Sequence, residues 1–132
     1  PNKLKFIINE NQPVAVYFDK NSTYFLTEDG KKITHYNISR FNNLPSVIGN
    51  NKNFVAFYQD LKSKNFNMSQ IASFQHFDLG RWDIVLKDKK IIKLPSDNYI
   101  EAIENFLLLE NKNNFEKYQI FDYRIKDQLI LK

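Results

Sequence analysis

The stretch RWDIVLKDKKIIKLPSDNYIEAIENFLLLE, residues 81–110, decides the fold, because it predicts a β-hairpin followed at once by an amphipathic helix. Trp82, Ile84 and Leu86 alternate with Asp83, Val85 and Lys87, which is the period-two pattern of a strand with one buried face. We expect the reversal at Asp88-Lys89. Pairing outward from that turn gives three opposed pairs: Leu86 with Ile91, Val85 with Ile92 and Ile84 with Lys93. One face would then carry Trp82, Ile84, Leu86 and Ile91, and the other Val85, Ile92 and Leu94.

The helix that follows is predicted from its start signals and from its period. Pro95 ends the second strand, because proline cannot donate to a β-ladder. Ser96, Asp97 and Asn98 are candidate N-caps, and Asn98 with Glu101 has the spacing of a capping box. Apolar residues then recur at helical spacing: Ile100, Ile103, Phe106 and Leu107.

The rest of the chain predicts short strands and a second helix. The expected strands are Leu4–Ile8, Val14–Phe18, Thr23–Leu26, Lys31–Tyr36 and one within Phe66–Phe77. Residues 42–53 look irregular, and a helix of about three turns should bury Phe54, Phe57, Tyr58 and Leu61. Tyr118–Leu131 is either one long strand or a terminal hairpin that reverses near Lys126-Asp127-Gln128. We therefore predict an α+β fold, a mostly antiparallel curved sheet with two main helices packed on it.

Composition bounds the class of protein. The chain has 132 residues, 42% of them apolar, which is enough for one domain with a real core. It has no cysteine, and no apolar run approaches the roughly 20 residues that span a bilayer. Because it begins at Pro1 without a leader, we expect an excised or processed piece. The net charge is +4, but only three of the 19 basic residues are Arg, so dedicated nucleic-acid binding is not favoured.

Motifs for catalysis or metal binding are not apparent. His35 and His76 are the only histidines, and neither stands at a metal-ligand spacing. There is no glycine-rich phosphate loop and no G-x-S-x-G motif, and the chain has only three glycines. The aromatic residues at helical spacing and Trp82 are expected in the core rather than on a base-stacking surface. We predict no catalytic residues, no metal ligands and no cofactor.

The last strand offers a different kind of site. If it lies at the sheet edge, its unpaired N–H and C=O groups are a template for another chain. A partner strand would then add to this edge by β-augmentation. The alternative is an edge blunted by Arg124, Lys126 and Asp127, and the residue pattern alone leaves both interpretations open.

Six stretches, in order, resemble the extracytoplasmic part of the bacterial cell-division family FtsQ/DivIB over nearly the whole chain. They are residues 1–17 with the pattern Glu10-Asn11-Gln12-Pro13-Val14-Ala15, residues 24–33 with Asp29-Gly30, residues 43–49 (NLPSVIG), the Trp82 hairpin, the helix 98–109 and residues 121–131 (FDYRIKDQLIL). The chain departs from the family pattern at four positions: Lys89, Tyr123, Ile125 and Gln128.

The resemblance implies a domain organisation and a partner. Residues 1–10 would be the last strand of a POTRA domain, and residues 11–132 the FtsQ-type β-domain. The family works in the periplasm as a non-enzymatic divisome scaffold, anchored in the inner membrane by one N-terminal helix. Its last strand binds FtsB, in complex with FtsL, by strand addition, and a basic residue at the position of Arg124 pairs with a partner acid. The implied partner-binding residues are Arg124, Ile125, Lys126, Asp127, Gln128, Leu129, Ile130 and Leu131.

Two other functions stay open from the residues. A single-stranded nucleic-acid-binding module would use lysines and exposed aromatics, and its affinity would fall steeply with salt. A POTRA-type module for another envelope protein would use the same strand-addition physics with a different partner.

Overall fold

A sheet covered by two helices makes up the fold. The computed structural model describes residues 12–19, 22–34 and 43–132. The helices are α1, Phe54–Ser63, and α2, Tyr99–Leu109. The strands are β1 Pro13–Asp19, β2 Ser22–Thr27, β3 Lys32–Ile33, β4 Ser46–Ile48, β5 Ile71–His76, β6 Trp82–Leu86, β7 Ile91–Lys93, β8 Ile120–Asp122 and β9 Ile130–Leu131. Short 3-10 turns occur at Met68–Gln70 and Asn113–Phe115.

The described strands form a single sheet in the order β3-β2-β1-β4-β5-β6-β7-β8-β9. Neighbouring strands are antiparallel except for the pairs β1–β4, β4–β5 and β7–β8. The predicted α+β class, with a mostly antiparallel sheet and two main helices, is confirmed. The prediction that residues 42–53 are irregular is wrong in part, because Ser46–Ile48 forms β4 between β1 and β5. The predicted strand at Leu4–Ile8 and the proposed POTRA residues 1–10 lie outside the described residues.

Both helices pack on one face of the sheet and share a hydrophobic cluster with it. The four apolar residues predicted for α1 are all buried, and Ile103 and Phe106 of α2 are buried as well. Trp82 stacks on Phe57 with ring centroids 4.8 Å apart, so the prediction that Trp82 belongs to the core is confirmed. Full burial of one such side chain contributes roughly 1.5–3 kcal/mol. The helices cover this face of the sheet. We call the opposite face the outer face.

The β6–β7 hairpin has a register one residue away from the predicted one. The observed pairs are Val85 with Ile91, Ile84 with Ile92 and Asp83 with Lys93. The error arises from the turn: Leu86 N–H donates to the carbonyl of Lys90, so the loop has three residues instead of two. Lys89 takes the left-handed position of that loop, with φ of 76°. Ile92 and Leu94 therefore join Ile84 in the core, whereas Ile91 lies on the outer face.

The start of α2 is at the predicted position, with Asn98 as the N-cap residue, but the predicted capping box is not formed. Asn98 is the N-cap residue, and it adopts a left-handed conformation with φ of 58°. A side-chain cap requires an extended N-cap residue, and the Asn98 side chain makes no capping hydrogen bond. The capping box with Glu101 is therefore not formed. Instead, the Tyr99 hydroxyl donates to the carboxylate of Asp60, which joins the first turn of α2 to α1.

Candidate partner-binding edge

The end of the chain forms a hairpin, which decides between the two predicted alternatives. β8 and β9 are antiparallel, with Phe121 opposite Leu131 and Asp122 opposite Ile130. The connection reverses in a turn in which Gln128 N–H donates to the carbonyl of Ile125 over 3.1 Å. Asp127 adopts a left-handed conformation in this turn, with φ of 60°, which Asp tolerates better than most residues. A single long strand over Tyr118–Leu131 is excluded.

β9 lies at one end of the sheet and pairs, among the described strands, with β8 alone. Lys132 N–H donates to the carbonyl of Ile120 over 3.1 Å, and Ile120 N–H donates to the carbonyl of Lys132 over 3.0 Å. Hydrogen-bonded and non-hydrogen-bonded pairs alternate along an antiparallel ladder. Leu131, opposite Phe121, is therefore in a non-hydrogen-bonded pair, and its own N–H and C=O point away from β8. Within the described ranges, β9 thus presents an open edge at Leu131.

The eight predicted binding residues form one continuous segment with two environments. Arg124–Gln128 lie in the connection, where all five side chains are exposed. Ile125 is 51% exposed. Leu129, Ile130 and Leu131 are half-buried, and Leu129 and Leu131 pack against the hydrophobic cluster. Outward backbone groups for strand pairing are therefore available at Leu131, and the connection presents exposed side chains.

Arg124 is already paired within the chain. Its Nε donates to Asp122 Oδ1 over 2.9 Å, and its Nη2 donates to Asp122 Oδ2 over 2.7 Å. The backbone N–H of Arg124 also donates to Asp122 Oδ1 over 3.0 Å. Asp122 is only 6% exposed, whereas the Arg124 side chain is 38% exposed. The hydrogen bonds from the guanidinium lower the pKa of Asp122 from its ordinary value of 3.8.

A second buried carboxylate stands in line with Asp122 on the outer face. Asp83 is opposite Lys93, and Lys93 is opposite Asp122, so the three residues cross three neighbouring strands in register. Asp83 is 5% exposed, and its Oδ1 has no hydrogen-bond partner among the described residues. Burial raises the pKa of Asp83, although the positive charges of Arg81 and Lys93 oppose that effect.

Neither Asp83 nor Asp122 is among the binding residues predicted from the sequence. Asp122 and Arg124 are two residues apart, so a strand pattern places them on one face, and that spacing was a usable signal. The alignment of Asp83 with Lys93 and Asp122 was not visible, since it depends on two strand registers. One of those registers, between β7 and β8, joins strands separated by the whole of α2.

The described residues offer little support for metal or nucleic-acid chemistry. In residues 12–19, 22–34 and 43–132 there is no cluster of three His, Asp or Glu side chains suited to a metal ion. His76 packs edge-on against Trp82, with ring centroids 4.7 Å apart, and His35 is outside the described residues. The aromatic residues of α1 are buried rather than available for base stacking. No described helix is both long and apolar enough to cross a membrane.

Comparison with known proteins gives the family. The family model described as "Cell division protein FtsQ/DivIB, C-terminal" matches residues 15–124, which include every described strand from β1 to β8 apart from the first two residues of β1. The chain belongs to the FtsQ/DivIB family. The resemblance carried by the six stretches to this family of cell-division proteins is thereby confirmed. The matched region ends at Arg124 in the β8–β9 connection, so β9, Ile130–Leu131, lies outside it.

Curated relatives agree with this assignment. Three proteins named cell division protein FtsQ, from Rickettsia typhi, Rickettsia felis and Rickettsia conorii, are 29%, 28% and 27% identical to this chain. Each alignment covers 97% of this chain and 49% of the relative, so the chain spans about half the length of these relatives. A solved structure of the major extracytoplasmic domain of the trans isomer of DivIB from Geobacillus stearothermophilus aligns with a TM-score of 0.46 and 9% identity, over 74% of this chain and 89% of that one.

Proposed function

We propose that this chain is part of a non-enzymatic divisome scaffold, to which a strand of FtsB, in complex with FtsL, binds at the outer edge of β9. The single observation that carries this proposal is the open backbone edge at Leu131, at the end of the sheet order. Membership of the FtsQ/DivIB family supports a division protein as the partner. The family also supports a location in the periplasm, with anchoring by a helix outside this chain and with residues 1–10 as the end of a POTRA domain.

Three parts of the edge would contribute to binding. The N–H and C=O of Leu131 would pair with the backbone of the partner strand. Leu129 and Leu131 are half-buried, so an added strand would remove the rest of their apolar surface from water, at about 25 cal/mol per Å². Arg124 would pair with a partner carboxylate, and Ile125 would make an aliphatic contact. Because β9 has only two residues, these side chains must supply much of the affinity.

Proline substitutions test strand addition directly. Leu131→Pro removes an N–H that points away from β8. The hydrogen bonds between β8 and β9 are kept, because proline is tolerated where the N–H faces away from the sheet. We expect isothermal titration calorimetry with the purified FtsB/FtsL complex to show a loss of affinity of at least tenfold. Leu131→Ala, which keeps the N–H, should lose less and separates the side-chain contribution. Equal affinities of Leu131→Pro and Leu131→Ala would rule out strand addition at this edge.

A charge reversal tests the role of Arg124 in the same titration. Arg124→Glu should weaken binding, because it places a negative charge where a partner acid is expected. Lys52→Glu is the matched control, since Lys52 is also exposed but lies beside α1 instead of the hairpin. Circular dichroism should show that both variants fold. If Arg124→Glu binds as tightly as Lys52→Glu, Arg124 is not part of the interface.

A further inference from the structure

The contact between Arg124 and Asp122 has more hydrogen bonds than an ordinary surface ion pair. Two guanidinium nitrogens and one backbone N–H of Arg124 all donate to a single carboxylate, over 2.7–3.0 Å. The carboxylate itself is almost completely buried. Its position is fixed by β8, which lies between β7 and β9 in the sheet. The guanidinium is therefore tied to a rigid part of the fold, although the Arg124 side chain is partly exposed.

The pairing leaves one side of the guanidinium unused. Arginine has five N–H donors, and Asp122 takes one on Nε and one on Nη2. Two donors on Nη1 and the second donor on Nη2 have no partner among the described residues. One donor from each of these nitrogens forms the second planar edge that binds a carboxylate in bidentate fashion. Arg124 can thus hold Asp122 and a partner carboxylate at the same time.

We infer that Asp122 is a positioning residue for partner recognition, which holds the Arg124 guanidinium so that its Nη1–Nη2 edge is presented to a carboxylate of the docking strand. The inference rests on the proposed function. Its physical basis is that ordering a rotamer-rich side chain at an interface costs binding energy. Asp122 brings about this ordering before the partner arrives.

A purely electrostatic role for Asp122 would have the opposite effect on partner binding. If Asp122 acted only through its charge, it would repel a partner carboxylate and partly neutralise Arg124. Replacing it with Asn would then strengthen binding. If Asp122 acts by orienting Arg124, the same replacement weakens binding, because Asn offers one carbonyl oxygen instead of a carboxylate fork.

The decisive experiment is a titration of Asp122→Asn with the purified FtsB/FtsL complex. We expect affinity to fall by about three- to tenfold. Asp88→Asn is the matched control, because Asp88 also pairs with a cation two residues on, Lys90, but in the β6–β7 turn. In an Arg124→Ala background, Asp122→Asn should cause no further loss, since a positioning residue acts only through the residue that it positions.

NMR spectroscopy tests whether the Arg124 guanidinium is already oriented in the free protein. The chain has three arginines, so their Nε–H signals can be assigned by substitution. The Arg124 Nε–H should exchange slowly with water in the wild type and quickly in Asp122→Asn. Should Asp122→Asn fail to fold, Arg124→Lys replaces it: lysine keeps the charge but has no planar fork, so Arg124→Lys should bind more weakly than the wild type.

The outcomes separate the inference from the proposed function. A wild-type chain that does not bind FtsB/FtsL refutes the proposed function, and the inference falls with it. If the wild type binds and Asp122→Asn binds equally or more tightly, the inference alone is overturned. Wild-type affinity in Arg124→Lys, or an unchanged Arg124 Nε–H exchange rate in Asp122→Asn, overturns it as well.

Discussion

Asp83 and Asp122 lie on the same face of the sheet, each opposite Lys93, and are buried to almost the same degree. Their pKa values nevertheless move in opposite directions from 3.8: that of Asp83 is raised by burial, and that of Asp122 is lowered by hydrogen bonds from Arg124. Burial and register alone therefore do not set the properties of a carboxylate here. The difference is made by one residue, Arg124, placed two positions after Asp122.

Removal of the Arg124 side chain should have the largest effect on stability. Arg124→Ala removes both guanidinium hydrogen bonds from the buried carboxylate of Asp122 and leaves it only the backbone N–H of residue 124. We expect the free energy of unfolding at pH 7 to fall by about 2 kcal/mol, below the full cost of breaking a buried ion pair because Arg124 is partly exposed. Urea denaturation measures it. The double variant Arg124→Ala/Asp122→Asn should recover part of the loss, and no recovery would mean that the unpaired carboxylate is not the cause.

Neutralising the two carboxylates should change stability in opposite directions. Asp83→Asn removes a charge that the fold buries without a hydrogen bond to Oδ1, so we expect a gain of about 1 kcal/mol at pH 7. Asp122→Asn removes the acceptor of Arg124 and should cost about 1 kcal/mol. The readout is the urea midpoint of the two variants measured side by side. A loss of stability in both variants would contradict the prediction that the two carboxylates affect stability in opposite directions.

The smallest effect is on the pH dependence of stability, to which Asp122 and Asp83 should contribute with opposite signs. The pKa of Asp122 is lowered on folding, so its stabilisation is present above pH 3.8 and is lost as pH falls through the lowered folded value. The pKa of Asp83 is raised, so stability from this group increases as pH falls through its folded value towards 3.8. Thermal midpoints of the wild type, Asp83→Asn and Asp122→Asn across this acidic range isolate each contribution by difference. Parallel curves for all three proteins would contradict both assignments.

Much of the fold could be predicted because its signals are local. The apolar spacing that defines α1 and the hairpin-to-helix order around Trp82 were both correct, since each depends on residues close together in the chain. The register of β6 and β7 was wrong by one residue, because Lys89 adopts a left-handed conformation that is uncommon outside Gly, Asn and Asp. One residue in a turn moves every side chain of a strand to the other face.

The residues of the candidate edge could be predicted from the sequence, but the contacts that they make in the structure could not. Its residues are adjacent in sequence, and a family resemblance was enough to name them. What the pattern did not give is the partner that Arg124 already has, or the row that joins Asp83 to Asp122 through Lys93. The row depends on a parallel pairing of β7 with β8. Such long-range pairing leaves no periodic signal in the sequence.

The shortness of β9 has a consequence for self-association. Two copies meeting edge to edge at Leu131 would exchange few backbone hydrogen bonds, because β9 has only two residues. A long, flat edge strand invites a growing ribbon of identical chains. An edge of this length would suffice for the single docking strand proposed above, and it offers too few backbone groups for a ribbon of identical chains.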